Sequence, residues 1–290
     1  MILGHERQIE YLNKVLRRGK LAHAYLFYGP EHVGKFTVAE HFAGLFNSSE
    51  VIILSPEHTL VSKKEKRKDI PIDDIRELKR RLSFAPEGSK WRVVIINEAE
   101  KLSDSAADAF LKILEEPGEQ TLIILVASSC ELLLPTIISR TQSIRFSVVA
   151  EETLLKFIKS REESKKKQEL ILAIAAGRPG IAVRLMEMKD YLTEEVEFLK
   201  NLNSILQKKE IPEAFRLVEK IVLEEELRDK TVEYVLRILR KNLLESAGTK
   251  DIAPLVLKLK KVAEVADIME TTNVNPRLGM DTLFLEACRN

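Results

Sequence analysis

Two short stretches of this 290-residue chain carry side chains in patterns that handle phosphate, and a third carries an arginine on a short apolar helix. Gly29-Pro30-Glu31-His32-Val33-Gly34-Lys35-Phe36 has the spacing of a phosphate loop through its lysine. In a working loop, backbone N–H groups and a helix N-terminus surround the phosphates, the lysine pairs with them, and a hydroxyl at the next position holds magnesium. Here that next position is Phe36. Thr37, one residue on, is rotated by about 100° around a helix and makes a poor substitute. Glu31 places a carboxylate where phosphate would sit, and His32 carries a side chain where such loops often need glycine to approach a ligand. The loop reads as degenerate, with Gly29, Gly34 and Lys35 as its remnant. Lys35 and the helix N-terminus still suit a phosphate held without magnesium.

The second stretch is Val93-Val94-Ile95-Ile96-Asn97-Glu98-Ala99-Glu100, an apolar run ending where a hydrolysing enzyme would place Asp-Glu. Asn97 keeps the shape of the acid and loses the charge that retains magnesium. Glu98 could polarise a water, but without metal the reaction lacks its main charge stabiliser. The third stretch is Ser139-Arg140-Thr141, between Leu132–Ile138 and Ser143–Phe146. Taken alone, Arg140 is a surface charge or the partner of a local carboxylate.

These stretches need elements to hold them. Val51–Leu54, Val93–Ile96 and Thr121–Ala127 are short, rich in β-branched residues and without polar alternation, which predicts strands buried on both faces of a parallel sheet, and Ala22–Tyr28 reads as a strand before the loop and its helix. Helical spacing predicts helices over Glu6–Arg18, Val38–Phe46, Pro71–Leu82 and Ser103–Leu114, with Gly19 at a left-handed stop and Pro117 past the last. Alternation of this kind gives an α/β domain. After Phe146 the pattern is helical to the end, punctuated by Gly177-Arg178-Pro179-Gly180.

Composition sets the outer limits. The chain is 45% hydrophobic and 31% charged with a net charge of only +1, so any nucleic-acid contact is local. Cys130 and Cys288 provide neither a disulfide framework nor a four-thiolate zinc site and fit a reducing, cytoplasmic setting. No signal peptide or membrane span is expected.

His23-Ala24-Tyr25-Leu26-Phe27, Asn97-Glu98-Ala99-Glu100-Lys101-Leu102, Asp108–Pro117 with its Leu-Glu-Glu-Pro ending, and Leu134-Pro135-Thr136-Ile137-Ile138-Ser139-Arg140 together resemble the bacterial DNA polymerase III clamp-loader family. The resemblance is strong over residues 1–147 and lies nearest the delta prime type. It implies a RecA-like P-loop (AAA+) domain over 1–147, a small helical lid over 148–190 and a helical collar over 191–290. It implies that Arg140, beside Ser139, acts as an arginine finger in a neighbour's ATP site, with Thr141 where the family usually has cysteine. A planar, permanently charged fork suits that task.

At the family's second sensor arginine the sequence has Gly180, and Ser128 and Ser129 stand near the first sensor. The zinc module of many relatives is missing at Asn47-Ser48-Ser49-Glu50, so neither metal nor zinc is expected, and no cofactor is required. The implied partners are gamma/tau motor subunits and a delta subunit in a five-membered ring, with sliding clamp and primed DNA reached through the complex and no membrane. The basic runs Ser62–Lys68 and Lys165–Lys167 read as solvated, without interleaved aromatics. Two other readings stand beside this one: an ATP-hydrolysing gamma-type motor, and a free-standing P-loop phosphotransferase.

Overall fold

The computed structural model describes residues 2–46, 48–61, 68–84, 90–246 and 252–289. They divide into two compact units, Met1–Met188 and Lys189–Asn290. The basic run at Ser62–Lys68 lies outside the described residues except for Lys68, as does Asn47.

In the first unit, α1 (Glu6–Arg17) precedes β1 (Ala24–Tyr28), α2 (Lys35–Ala43), β2 (Ser48–Leu54), α3 (Ile72–Leu82) and β3 (Trp91–Asn97). There follow α4 (Asp104–Glu115), β4 (Thr121–Ala127), the single turn α5 (Pro135–Ile138) and β5 (Gln142–Arg145). The sheet is parallel in the order β2-β3-β4-β1-β5. Alternate side chains of each strand enter opposite layers. Leu26, Val94, Ile96, Ile123 and Leu125 meet Ile75, Leu78 and Phe110 of α3 and α4. Tyr25, Phe27, Ile95 and Ile124 meet Leu12, Val38 and Phe42 of α1 and α2. Fully burying each such side chain contributes roughly 1.5–3 kcal/mol, so burial of both faces explains the uninterrupted apolar runs.

Local chemistry sets the ends. Gly19 takes φ 62 just past α1. Ser103 caps α4, its hydroxyl accepting from the Ala106 N–H at 3.3 Å. The helix expected over Val38–Phe46 runs instead over Lys35–Ala43. Gly34 leaves the loop at φ 103, so the helix starts at the lysine itself, while Phe46 stays in the core beyond the last hydrogen-bonded turn.

Three helices complete this unit, α6 (Glu151–Lys159), α7 (Lys165–Ala175) and α8 (Pro179–Glu187). The second unit is made of α9 (Lys189–Lys208), α10 (Ile211–Ile221), α11 (Glu225–Glu245), α12 (Ala253–Thr271) and α13 (Pro276–Cys288) around a core that includes Leu202, Val218, Val235 and Phe284. Its one buried carboxylate among the described residues, Glu195, is satisfied by the Lys230 ammonium at 2.5 Å and by the Tyr234 hydroxyl. Among the described residues, no helix is long and apolar enough to cross a membrane.

Candidate functional site

The phosphate-type loop follows β1, the strand lying between β4 and β5, at the carboxyl end of the sheet. That is where open parallel sheets form their ligand crevice. Gly29 takes φ 140, and a Cβ there would stand 2.0 Å from the carbonyl oxygen of Phe146. This glycine is demanded by the chain leaving β5, whatever the loop binds. Gly34 has open space around it and is needed only for its backbone angle, φ 103.

Lys35 opens α2 and is 6% exposed. Its Nζ donates to the loop's own carbonyls, Gly29 at 2.5 Å and Pro30 at 2.7 Å. Phe36 is partly buried and packs against the core on the α1/α2 side, and Thr37 is exposed. The loop is held from below by His5, whose Nε2 donates to the Val33 carbonyl at 2.8 Å and whose ring lies edge-on to Phe146. It is held from the side by α8. The Gly180 N–H donates to the His32 carbonyl at 2.9 Å, and a Cβ on Gly180 would lie 3.1 Å from that oxygen and 3.2 Å from the His32 Cβ. Close approach of these two backbones requires the missing side chain.

Burial lowers the Lys35 ammonium from its usual 10.5 to about 8, with Arg178 acting in the same sense and Glu100 and Glu31 opposing. Between pH 8 and 10.5 the unfolded chain therefore binds a proton that the folded loop has released, so stability rises with pH across that window. Relative to Lys35→Met, the wild-type chain should gain on the order of 2 kcal/mol in urea unfolding between about pH 8 and 10. Parallel pH profiles for the two proteins would contradict this.

At the end of β3, the Asn97 amide makes, among the described residues, only a long contact, 3.5 Å, to Glu98. Burial raises the Glu98 carboxyl, helped by Glu100 and Glu31. Glu100, to which the sequence reading gave no role, joins β3 to β4. It accepts from the Ser128 N–H at 2.9 Å and from the Ser128 hydroxyl at 2.5 Å. Ser129 accepts from the Glu131 N–H.

Arg140 leaves α5 with a half-exposed guanidinium. Its Nη2 donates to Glu115 at 2.8 Å and its Nη1 to the Thr136 carbonyl at 3.0 Å. The Ser139 hydroxyl donates to the same carbonyl at 3.0 Å. The partners of Arg140 thus come from α4 and α5 and not from the loop around Lys35. Glu115 is the first acid of the Leu-Glu-Glu-Pro run, and only the folded chain brings it to Arg140. Among the described residues, no three His, Cys, Asp or Glu side chains converge as a metal site.

Residues 4–150 match the family model described as DNA polymerase III, delta subunit. The chain is 32% identical over 168 residues to the DNA polymerase III subunit gamma/tau of Mycobacterium bovis, spanning 53% of this chain and 29% of that protein. It therefore spans less than a third of the length of that relative. It is 29% identical over 205 residues to the subunit delta′ of Pseudomonas aeruginosa, covering 64% of this chain and 62% of that one. Among solved structures it is similar to a RuvB chain of Thermotoga maritima, with TM-score 0.52 and 17% identity over 71% of this chain and 76% of that one. At that identity the likeness establishes the fold, an AAA+ P-loop sheet with helices.

Proposed function

The chain belongs to the DNA polymerase III, delta subunit family, and from that premise we propose that it is a delta prime-type stator of a clamp loader. In this reading it turns over no ATP itself and lends Arg140 to the ATP site of a neighbouring motor subunit. Residues 148–190 serve as its lid and 191–290 as its collar. Its partners are gamma/tau-type and delta-type subunits in a ring that loads a sliding clamp on primed DNA.

The observation that carries the reading is the pairing of a lost metal site with a kept arginine. A magnesium-nucleotide needs a hydroxyl after the loop lysine and an acid at the end of β3. Here the first is Phe36, packed against the core, and the second is the amide of Asn97. Gly180, at the second sensor position, brings backbone against the loop and offers no guanidinium. These donors do not fit a magnesium-nucleotide. Arg140, by contrast, keeps a partly exposed fork held by Glu115 and the Thr136 carbonyl.

The rival reading, a gamma-type motor, is favoured by the likeness to gamma/tau chains and by the retained Lys35. Its difficulty is that both metal positions would have to be rebuilt from other residues. A simple omission tests the proposal: motor and delta-type subunits should hydrolyse ATP far more slowly with clamp and primed DNA when this chain is left out. Equal rates with and without it would overturn the stator role.

A further inference from the structure

The described sheet has an edge at β5, and the charged side chains lining the groove beside it, Arg7 and Arg145, are both basic. β5 pairs with β1 alone, in parallel register from Tyr25↔Gln142 to Tyr28↔Arg145. Just past the strand, the Phe146 N–H donates to the Tyr28 carbonyl at 2.7 Å. In a parallel strand the N–H and C=O of one residue point the same way and alternate along the chain. Gln142, Ile144 and Phe146 therefore face β1, while Ser143 and Arg145 present their backbone groups outward.

The Arg145 carbonyl confirms this, since it accepts from the Gln8 side chain of α1 at 2.8 Å. The other outward groups of β5, the N–H and C=O of Ser143 and the N–H of Arg145, have no partner among the described residues. Native proteins usually cover or blunt such an edge, and an uncovered one is a template for another strand.

A shallow groove of about 350 Å³ lies along this edge, lined by Arg7, Gln8 and Tyr11 from α1 and by Gln142–Arg145. Arg7, Tyr11 and Lys14 recur at helical spacing on one exposed stripe of α1, continued by Arg18 at its C-cap, with Glu6 and Glu10 to one side of it. Among the described residues, no carboxylate forms an ion pair with Arg7, Lys14, Arg18 or Arg145. Tyr11 adds an exposed aromatic face, 41% accessible.

We propose that this groove takes an extended acidic segment of a partner protein, which adds to β5 as a sixth strand. Main-chain hydrogen bonds to Ser143 and Arg145 would supply affinity, and the unpaired arginines would select carboxylates at alternate positions. The inference does not depend on Arg140 or on the stator reading. A basic stripe with one tyrosine would also attract nucleic acid, but phosphate contacts have no use for the open strand edge, which is what favours a peptide.

The test is fluorescence anisotropy of the full chain with a labelled ten-residue peptide alternating Glu and Val. A Lys/Val peptide and a ten-nucleotide oligothymidine serve as comparisons. We expect the acidic peptide to bind and the basic one not to. The doubly substituted Arg7→Glu, Arg145→Glu chain should bind at least ~10-fold more weakly, the equivalent of about one unit in log K. Ser143→Pro removes only an outward N–H, a change an edge strand tolerates, and should weaken the peptide by a similar factor. Thermal unfolding of each variant establishes that it is folded, and the exposed arginine variants keep the test decisive should the proline variant fail. No binding of the acidic peptide overturns the proposal. So does oligothymidine binding that is lost on arginine reversal but unchanged by Ser143→Pro, which would mark a nucleic-acid surface.

Discussion

Arg140→Ala should leave the chain folded and able to assemble, yet lower the clamp- and DNA-stimulated ATP turnover of the loader by roughly a thousandfold or more. That loss corresponds to about 4 kcal/mol of transition-state stabilisation. The residue sits on the surface and its pair with Glu115 is exposed, so its own contribution to stability is at most about 1 kcal/mol. In the proposed role its contribution to the neighbour would be larger, because a permanent positive charge next to a transferring phosphoryl group acts where water is excluded. Arg140→Lys should recover little, since an ammonium lacks the planar fork. Glu115→Ala tests a different link. Glu115 is 2.8 Å from the guanidinium in the free chain, and losing a partner of this weak kind should change the stimulated rate by no more than a few-fold. The measurement is steady-state ATP hydrolysis by loaders of equal subunit composition. A wild-type rate from the alanine form would make Arg140 an ordinary surface charge.

Gly29→Ala should be the most destabilising single change in the loop, costing roughly 3 kcal/mol or more. Two causes act together. The backbone stands at φ 140, outside the range an L side chain adopts readily, and the added carbon would meet the Phe146 carbonyl at 2.0 Å. Phe146 is fully buried against Phe27 and His5, so it has no room to give way. Gly34→Ala meets nothing within 4 Å and should show only the backbone strain, roughly 1–3 kcal/mol. Urea unfolding of the two variants beside wild type measures the difference. Equal midpoints for Gly29→Ala and wild type would show that the passage of β5 past the loop does not fix this glycine. The expected order bears on function, because a glycine retained for packing is no sign of a loop that still holds phosphate.

Much of the sheet was legible because burial on both faces leaves a signal within a few consecutive residues. Thr121–Ala127 reads as a strand in the sequence and is one, with all seven residues buried. Helix α4 was equally plain, since Ser103 at its cap and Pro117 beyond its end are local signals. The start of α2 was misplaced by three residues because apolar spacing marks the buried face of a helix, whereas its first turn is set by the backbone angle of Gly34. The substitutions at Phe36 and Asn97 could be seen in the sequence as departures from a motif. What each does instead could not be seen: Phe36 packs against the α1/α2 core, while the amide of Asn97 forms no close bond among the described residues.

The contacts that shape the site are long-range, and no local pattern announces them. His5 supports Val33 across 28 residues, Glu100 binds Ser128 across 28, and Glu115 reaches Arg140 across 25. The contact between Gly180 and His32 is of the same kind, and its only trace in the sequence is a glycine in the first turn of a helix. Buried Glu195 lies on α9, and no sequence signal singled it out, because its partners Lys230 and Tyr234 come from α11.

The central claim is a division of labour: the loop at Lys35 performs no turnover, and Arg140 serves a neighbour. Its most direct test is the stimulated ATP hydrolysis of a reconstituted loader in which this chain is wild type, Lys35→Ala or Arg140→Ala, with assembly of each verified by size. The account predicts that the Lys35→Ala form supports the wild-type rate within about twofold while the Arg140→Ala form assembles and fails. The reverse pattern, a silent Lys35→Ala loader and an active Arg140→Ala one, would contradict it and make the chain a motor.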